Sequence, residues 1–336
     1  MRVRRALFLL SATFLLSACS LGKTPEPTAA PTGTATPAPT VPPTASSPLA
    51  VLLMPADMDK AASDAYQTAV YNLTQESGMR FQVRNSMTPQ EIDPGLKIVV
   101  ALPPDPGLAA LAAAAPQVQF LAINIPGVAA GNNISALATN SRADIPAFVA
   151  GYTAAMVSED YHIGMLLPKG NAAAQAAAAA FANGMSYYCG LCQPFYYVSY
   201  PFPQFQDIPA EEPKSHYPAY ADVLIVQHRV DTVYLYPDIT ARELTDYLST
   251  TGTNMIGSAV PNPRPGTWIM TIQPDEVKAI RTAWADLTAG KGGQDVQSPL
   301  GLADLDPTVV TPGKQRLVQQ VLDDLQAGRL TTGVAP

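Results

Sequence analysis

From Leu49 onward the chain alternates short apolar runs with longer segments whose apolar residues recur at helical spacing. Leu49 to Met54 (LAVLLM), Lys97 to Leu102 (KIVVAL) and Gln119 to Ile125 (QFLAINI) are runs of the first kind. Ser63 to Glu76, with Ala65, Ala69, Val70 and Leu73 on one side, is of the second, as is Ala-rich Leu108 to Ala115. Continuous apolar runs mark strands buried on both faces, and such strands belong to parallel sheets covered by helices. Phe81 to Arg84 is a further strand of this half. The expected fold class is therefore α/β, with a doubly wound sheet.

The pattern restarts after Asn140. Asp144 to Ser158, Ala172 to Tyr188, Tyr217 to His228, Ala241 to Ser249, Asp275 to Leu287 and Lys314 to Ala327 are expected helices. His162 to Leu167, Pro194 to Tyr200, Thr232 to Tyr236, Asn254 to Gly257 and Thr267 to Ile272 are expected strands. Two serial α/β halves of similar size imply two Rossmann-like lobes joined by a hinge.

The first 48 residues differ in kind. Arg2, Arg4 and Arg5 precede an apolar stretch, Ala6 to Leu16, too short for a typical spanning helix of about 20 residues. It ends in Leu16-Ser17-Ala18-Cys19, which resembles the bacterial lipobox. The resemblance implies acylation of the Cys19 thiol and cleavage before it, so residues 1–18 are an expected lipoprotein signal peptide. An ordinary signal peptide with a chance cysteine is the alternative. Acylation would hold the body at the extracytoplasmic face of a cell membrane. Residues 19–48 are almost entirely Thr, Pro, Ala, Ser and Gly and carry eight of the 33 prolines, the composition of a disordered, partly polyproline linker.

Charge and motifs exclude several function classes. The net charge is −7, and loss of the three leader arginines takes it to −10, the opposite of a nucleic-acid binder. The body contains no G-x-S-x-G, H-E-x-x-H or G-x-x-x-x-G-K-[ST]. His162, His216 and His228 show no metal spacing, and no cofactor motif is present, so neither a metal nor a cofactor is expected. Cys189 and Cys192 are the only thiols besides Cys19. In an exported protein a local disulfide between them is expected, stapling a helix exit. A redox role would need a strand–CxxC–helix arrangement, whereas this motif follows a helix.

Several segments resemble the basic membrane protein (PnrA-like) family of ABC-transporter substrate-binding lipoproteins. Ala147-Phe148-Val149-Ala150-Gly151-Tyr152-Thr153-Ala154-Ala155-Met156 is similar to that family's hinge-helix segment. Ile163-Gly164-Met165, Phe181-Ala182-Asn183-Gly184, Asp231 to Tyr236 and Asn254-Met255-Ile256-Gly257 follow in the family's order. The resemblance implies a type I periplasmic-binding fold with a ligand between two lobes. It also implies lobe 1 from residues 49–141 plus about 258–292, and lobe 2 from residues 142–257 plus about 293–336. The implied function is a non-enzymatic, monomeric binding protein that delivers a small polar, nucleoside-like ligand to an ABC permease. A sensory or orphan binding lipoprotein of the same fold is the first alternative, and a surface hydrolase the second. The family's Ser-Phe-Asn after the first acidic loop is absent. Ser258-Ala259-Val260 stand where it places an aspartate, and Gln273-Pro274 stand where it places a lysine.

Ligands of open parallel sheets bind beyond the carboxyl ends of strands. That rule nominates Asp57 and Asp59 after the first strand, Asn124 after QFLAI, and Tyr236 with Asp238 after TVYLY. It also nominates Phe205 and Asp207, in a Pro-rich loop where the family has an aromatic followed by an acid. Each has a plainer reading: helix N-caps for Asp57, Asp59 and Asp238, a turn for Asn124, and packing onto its own lobe for Phe205.

Overall fold

The computed structural model describes residues 47–138, 142–192, 194–196 and 198–335. The expected leader, Cys19 and the linker up to residue 46 lie outside the described residues.

The first lobe is a six-stranded parallel sheet in the order β11-β5-β4-β3-β1-β2. Its strands are β1 (Leu49–Leu53), β2 (Arg80–Arg84), β3 (Leu96–Ala101), β4 (Gln119–Ile123), β5 (Ile134–Ala138) and β11 (Asp295–Gln297). All five residues of β1 and of β4 are buried, as central strands covered on both faces must be. One face packs against α1 (Lys60–Glu76) and α7 (Glu276–Thr288), through Val70, Leu73, Ile280 and Trp284. The other packs against α2 (Leu108–Ala114), through Leu108 and Leu111.

The second lobe holds a six-stranded sheet in the order β12-β10-β9-β8-β6-β7. Its strands are β6 (Ile163–Pro168), β7 (Gln204–Ile208), β8 (Thr232–Leu235), β9 (Asn254–Gly257), β10 (Trp268–Pro274) and β12 (Leu300–Ala303). All are parallel except β12, which runs antiparallel to β10. The helices of this lobe are α3 (Asp144–Val157), α4 (Ala172–Cys189), α5 (Tyr217–Asp222), α6 (Arg242–Thr250) and α8 (Pro312–Gln326).

Helices α3 and α4 are Ala-rich because their backbones meet. A Cβ on Gly151 would stand 2.0 Å from the Phe181 carbonyl oxygen, and one on Gly184 would stand 2.0 Å from that of Phe148. The two glycines thus form a reciprocal pair of contact points, which explains the Ala-Gly and Phe-x-x-Gly segments in packing terms.

Several expectations are corrected. The strand placed at Pro194 to Tyr200 is not formed by the described residues there; pairing with β6 begins at Gln204, beyond Pro201 and Pro203, which have no N–H to give a ladder. Phe205 and Asp207 consequently sit on strand β7 and not in a loop. The Tyr217 to His228 helix is α-helical only to Asp222 and continues as a π-helical turn, Val223–Gln227. Strand β5 was not foreseen. The lobe boundary also moves. Residues from about 258 were expected in lobe 1, yet β10 pairs with β9, and Trp268, Ile269, Met270 and Ile272 belong to the second core. The chain re-enters lobe 1 only at Asp275 and leaves it after Gln297, since β11 pairs with β5.

The Cys189 and Cys192 sulfurs face each other at the end of α4, with Cα atoms 5.1 Å apart, within disulfide reach.

Candidate functional site: the cleft between two carboxyl edges

The connections between the lobes define the site. The first leaves the carboxyl end of β5 and enters α3. The second leaves the carboxyl end of β10 and enters α7. The third leaves the carboxyl end of β11 and enters β12 at Leu300, which is in register with Pro274 at the end of β10. All three therefore run between the carboxyl edges of the two sheets, and these edges face one another. Two of the connections are tied by the Asp275 N–H, which donates to the Pro299 carbonyl at 2.6 Å.

On the first lobe, Asp57 is exposed in the turn after β1. Asp59 caps α1, accepting from Ala61 N at 2.9 Å and Ala62 N at 3.1 Å. Asn124 follows β4 with φ 47°, a left-handed conformation that asparagine tolerates. Its side-chain amide donates to the Glu276 carboxylate at the start of α7. Burial pushes the Glu276 carboxyl above its ordinary pKa. Sequence reasoning missed Glu276 because it opens a helix whose neighbour, Asp275, carries the visible capping signal.

A cavity of about 540 Å³ lies where the lobes join. Tyr66 and Ala62 of α1, Ser258 after β9, Gln273 to Glu276 at the crossover and Gly301 of β12 line it. Both lobes thus contribute to one concavity of the size that holds a small ligand.

On the second lobe, a cavity of about 430 Å³ opens at the carboxyl ends of β6, β7 and β8. Lys169, Asn171, Ala210, Tyr217 and Asp238 line it. Lys169 was not foreseen; it is the first residue past β6, so the edge rule would have found it. Tyr236, at the end of β8, is buried, and burial, with the Asp238 charge adding to it, raises its phenol pKa. Asp238 is exposed beside it in a 3-10 turn.

Phe205 and Asp207 are not brought to the cleft rim with these groups. Together with Gln175 and Ala182 they line a lateral groove between β7 and α4. Phe205 meets Phe181 edge-on at 6.3 Å, and Gln175 donates to Asp207 at 3.4 Å. Trp268 is fully buried in β10, its indole N–H donating to Thr271 Oγ1 at 2.9 Å, a core role.

Among the described residues no group of three or more His, Cys, Asp or Glu is placed to hold a metal, and no helix is long and apolar enough to cross a membrane.

No family model matches the chain, and no curated protein matches it. Solved structures do. An ABC transporter solute-binding protein from Conexibacter woesei DSM 14684 is 14% identical and superimposes with a TM-score of 0.51 over 85% of this chain and 98% of that one. The chain has the type I periplasmic-binding fold. A transcriptional activator of the comK gene from Bacillus halodurans (14% identity, 84% and 98% covered, TM-score 0.48) is also similar. So is an ABC transporter solute-binding protein from Aeropyrum pernix K1 (14% identity, 84% and 92% covered, TM-score 0.40).

Proposed function

We propose that this protein is an extracytoplasmic solute-binding protein, acylated at Cys19, that captures a small polar ligand between its lobes for an ABC importer. The carrying observation is that three crossovers join the facing carboxyl edges of two parallel sheets, with cavities of ligand size at the junction and on the second edge. Such a hinge can close around a ligand, and a permease can then distinguish the closed form from the open one. No redox or group-transfer chemistry is required of the cleft.

The ligand we propose is nucleoside-like, by resemblance to the basic membrane protein family. The residues we assign to it are Asn124, Tyr236 and Asp238, with Asp57 and Asp59 at the rim of lobe 1. Lys169 and Glu276 are added from the cleft geometry. Phe205 and Asp207 are left out because of their lateral position. Cys189 and Cys192 are proposed as a disulfide.

A thermal-shift screen of purine and pyrimidine nucleosides beside pentoses and hexoses tests this reading. A saturable rise in melting temperature with a nucleoside supports it. A shift with sugars alone replaces the ligand class but keeps the binding role. Turnover of any compound overturns the role.

A further inference from the structure

The end of the second lobe remote from the cleft carries an exposed aromatic face that ligand capture does not use. Helix α4 starts at the carboxyl edge of its sheet and β7 starts at the amino edge, so the connection between them lies at the pole away from the cleft. Leu191, Phe195 and Tyr196 in that connection are 86%, 85% and 74% exposed. Tyr187 and Tyr188 extend the face along the last turns of α4. Five of the protein's 14 tyrosines and three of its nine phenylalanines fall within residues 187–205. No Asp, Glu, Lys, Arg or His occurs between Lys169 and Asp207, 37 residues in a chain of net charge −7. Asp160, which meets the face at Phe195, is engaged: it accepts the Phe195 N–H and lies 3.7 Å from His162. Large exposed apolar patches on soluble domains mark partners.

The chain outside the described structure argues for which partner. Residues 19–48 run from Cys19 to the first strand, thirty residues with a contour of at most about 100 Å. A body of roughly 290 residues has a radius of gyration of about 19 Å and is about 50 Å across. The bilayer is therefore within reach of either pole, at the high effective concentration a tether confers. Tyrosine, with an apolar ring and a polar tip, is the residue type that settles at the bilayer interface, and an uncharged face costs least to seat there.

We propose that Leu191, Phe195 and Tyr196 form a membrane-interface contact that seats the second lobe on the bilayer bearing the acyl anchor. The inference rests on the anchored reading, yet its test does not need the anchor. Every strand and every core residue among the described residues lies from Leu49 onward, so the chain from Ser20, made without leader or acyl group, keeps the fold.

In that chain, F195W places an indole at the tip, while the native Trp268 and Trp284 are buried and supply a constant background. With phosphatidylcholine vesicles the emission of the new indole is expected to shift to the blue and to be quenched by brominated acyl chains. L191E with Y196E is expected to lower the vesicle-bound fraction at least tenfold at unchanged melting temperature. Lipid-free emission in the presence of vesicles overturns the proposal, as does binding that L191E leaves intact. A concentration-dependent dimer that L191E abolishes, with vesicles ignored, also overturns it and makes the face a contact between copies. Intact mass of the natively expressed protein reads Cys19 acylation separately, so loss of the anchor reading and loss of the interface contact are distinct results.

Discussion

Asn124 and Glu276, 152 positions apart in the chain, are joined by a hydrogen bond from the Asn124 side-chain amide to the Glu276 carboxylate. The first follows strand β4 and the second begins the helix entered from the second lobe. The contact thus ties the carboxyl edge of the first sheet to the crossover between β10 and α7.

Glu276 carries a pH signature. Burial raises its carboxyl pKa in the folded state, so folding favours the protonated acid. This residue's contribution is greatest at low pH and is lost as pH rises through the raised value. E276Q keeps an acceptor for Asn124 and removes the charge. It is expected to melt higher than the parent at about pH 8 and together with it near about pH 4. A lower melting point for E276Q at the higher pH would contradict this.

Asp144 gives the opposite slope. Its burial works to raise the pKa, but hydrogen bonds from Arg142 and Thr332 and the guanidinium charge outweigh that and hold the carboxyl below its ordinary range. Thr332 Oγ1 donates at 2.6 Å and Arg142 donates at 3.0 and 2.6 Å. This stability is present above the unfolded pKa and fades as pH falls through the folded one. T332V is expected to cost about 1.5–3 kcal/mol near neutrality, the range for a hydrogen bond to a charged group. The loss shrinks in acid, and denaturant titration at several pH values reads it.

Gly151 and Gly184 test the helix contact. At 2.0 Å from a facing carbonyl, an added methyl forces the α3 and α4 backbones apart. G151A and G184A are each expected to destabilise by about 1–3 kcal/mol or more, although alanine is the better helix former. A neutral or stabilising result in urea unfolding would show that the helices separate without penalty.

The cleft assignment is tested at its second-lobe rim. D238A and K169A are expected to weaken the ligand found by thermal shift at least tenfold, about 1.4 kcal/mol. R316A, on α8, should leave affinity unchanged. Calorimetric titration decides, and equal affinities would move the site elsewhere.

Much of the fold was legible because buried parallel strands need continuous apolar runs, and β1, β3, β4, β6 and β8 have them. Edge elements were not. Strand β7 has exposed positions and a proline-rich approach, so the apolar signal in sequence falls on Pro194 to Tyr200 and the strand's own residues read as a loop. Strands β11 and β12 are short and were passed over, although they carry the third crossover. For the site, the carboxyl-end rule nominated Asn124, Tyr236 and Asp238, which stand just past strand ends, while Phe205 and Asp207 lie within β7 and line its lateral groove. Glu276 was hidden because its significance comes from a partner in another element.

The amino-acid sequence by itself determined the strand–helix alternation, the two halves and the chemistry available at each strand end, because these follow from local periodicity and residue type. Only the tertiary structure decided where the lobes exchange the chain, which carboxylate Asn124 meets, and which aromatics face solvent at the far pole. Those depend on non-local pairing, such as β10 with β9 and β11 with β5, which sequence spacing does not encode.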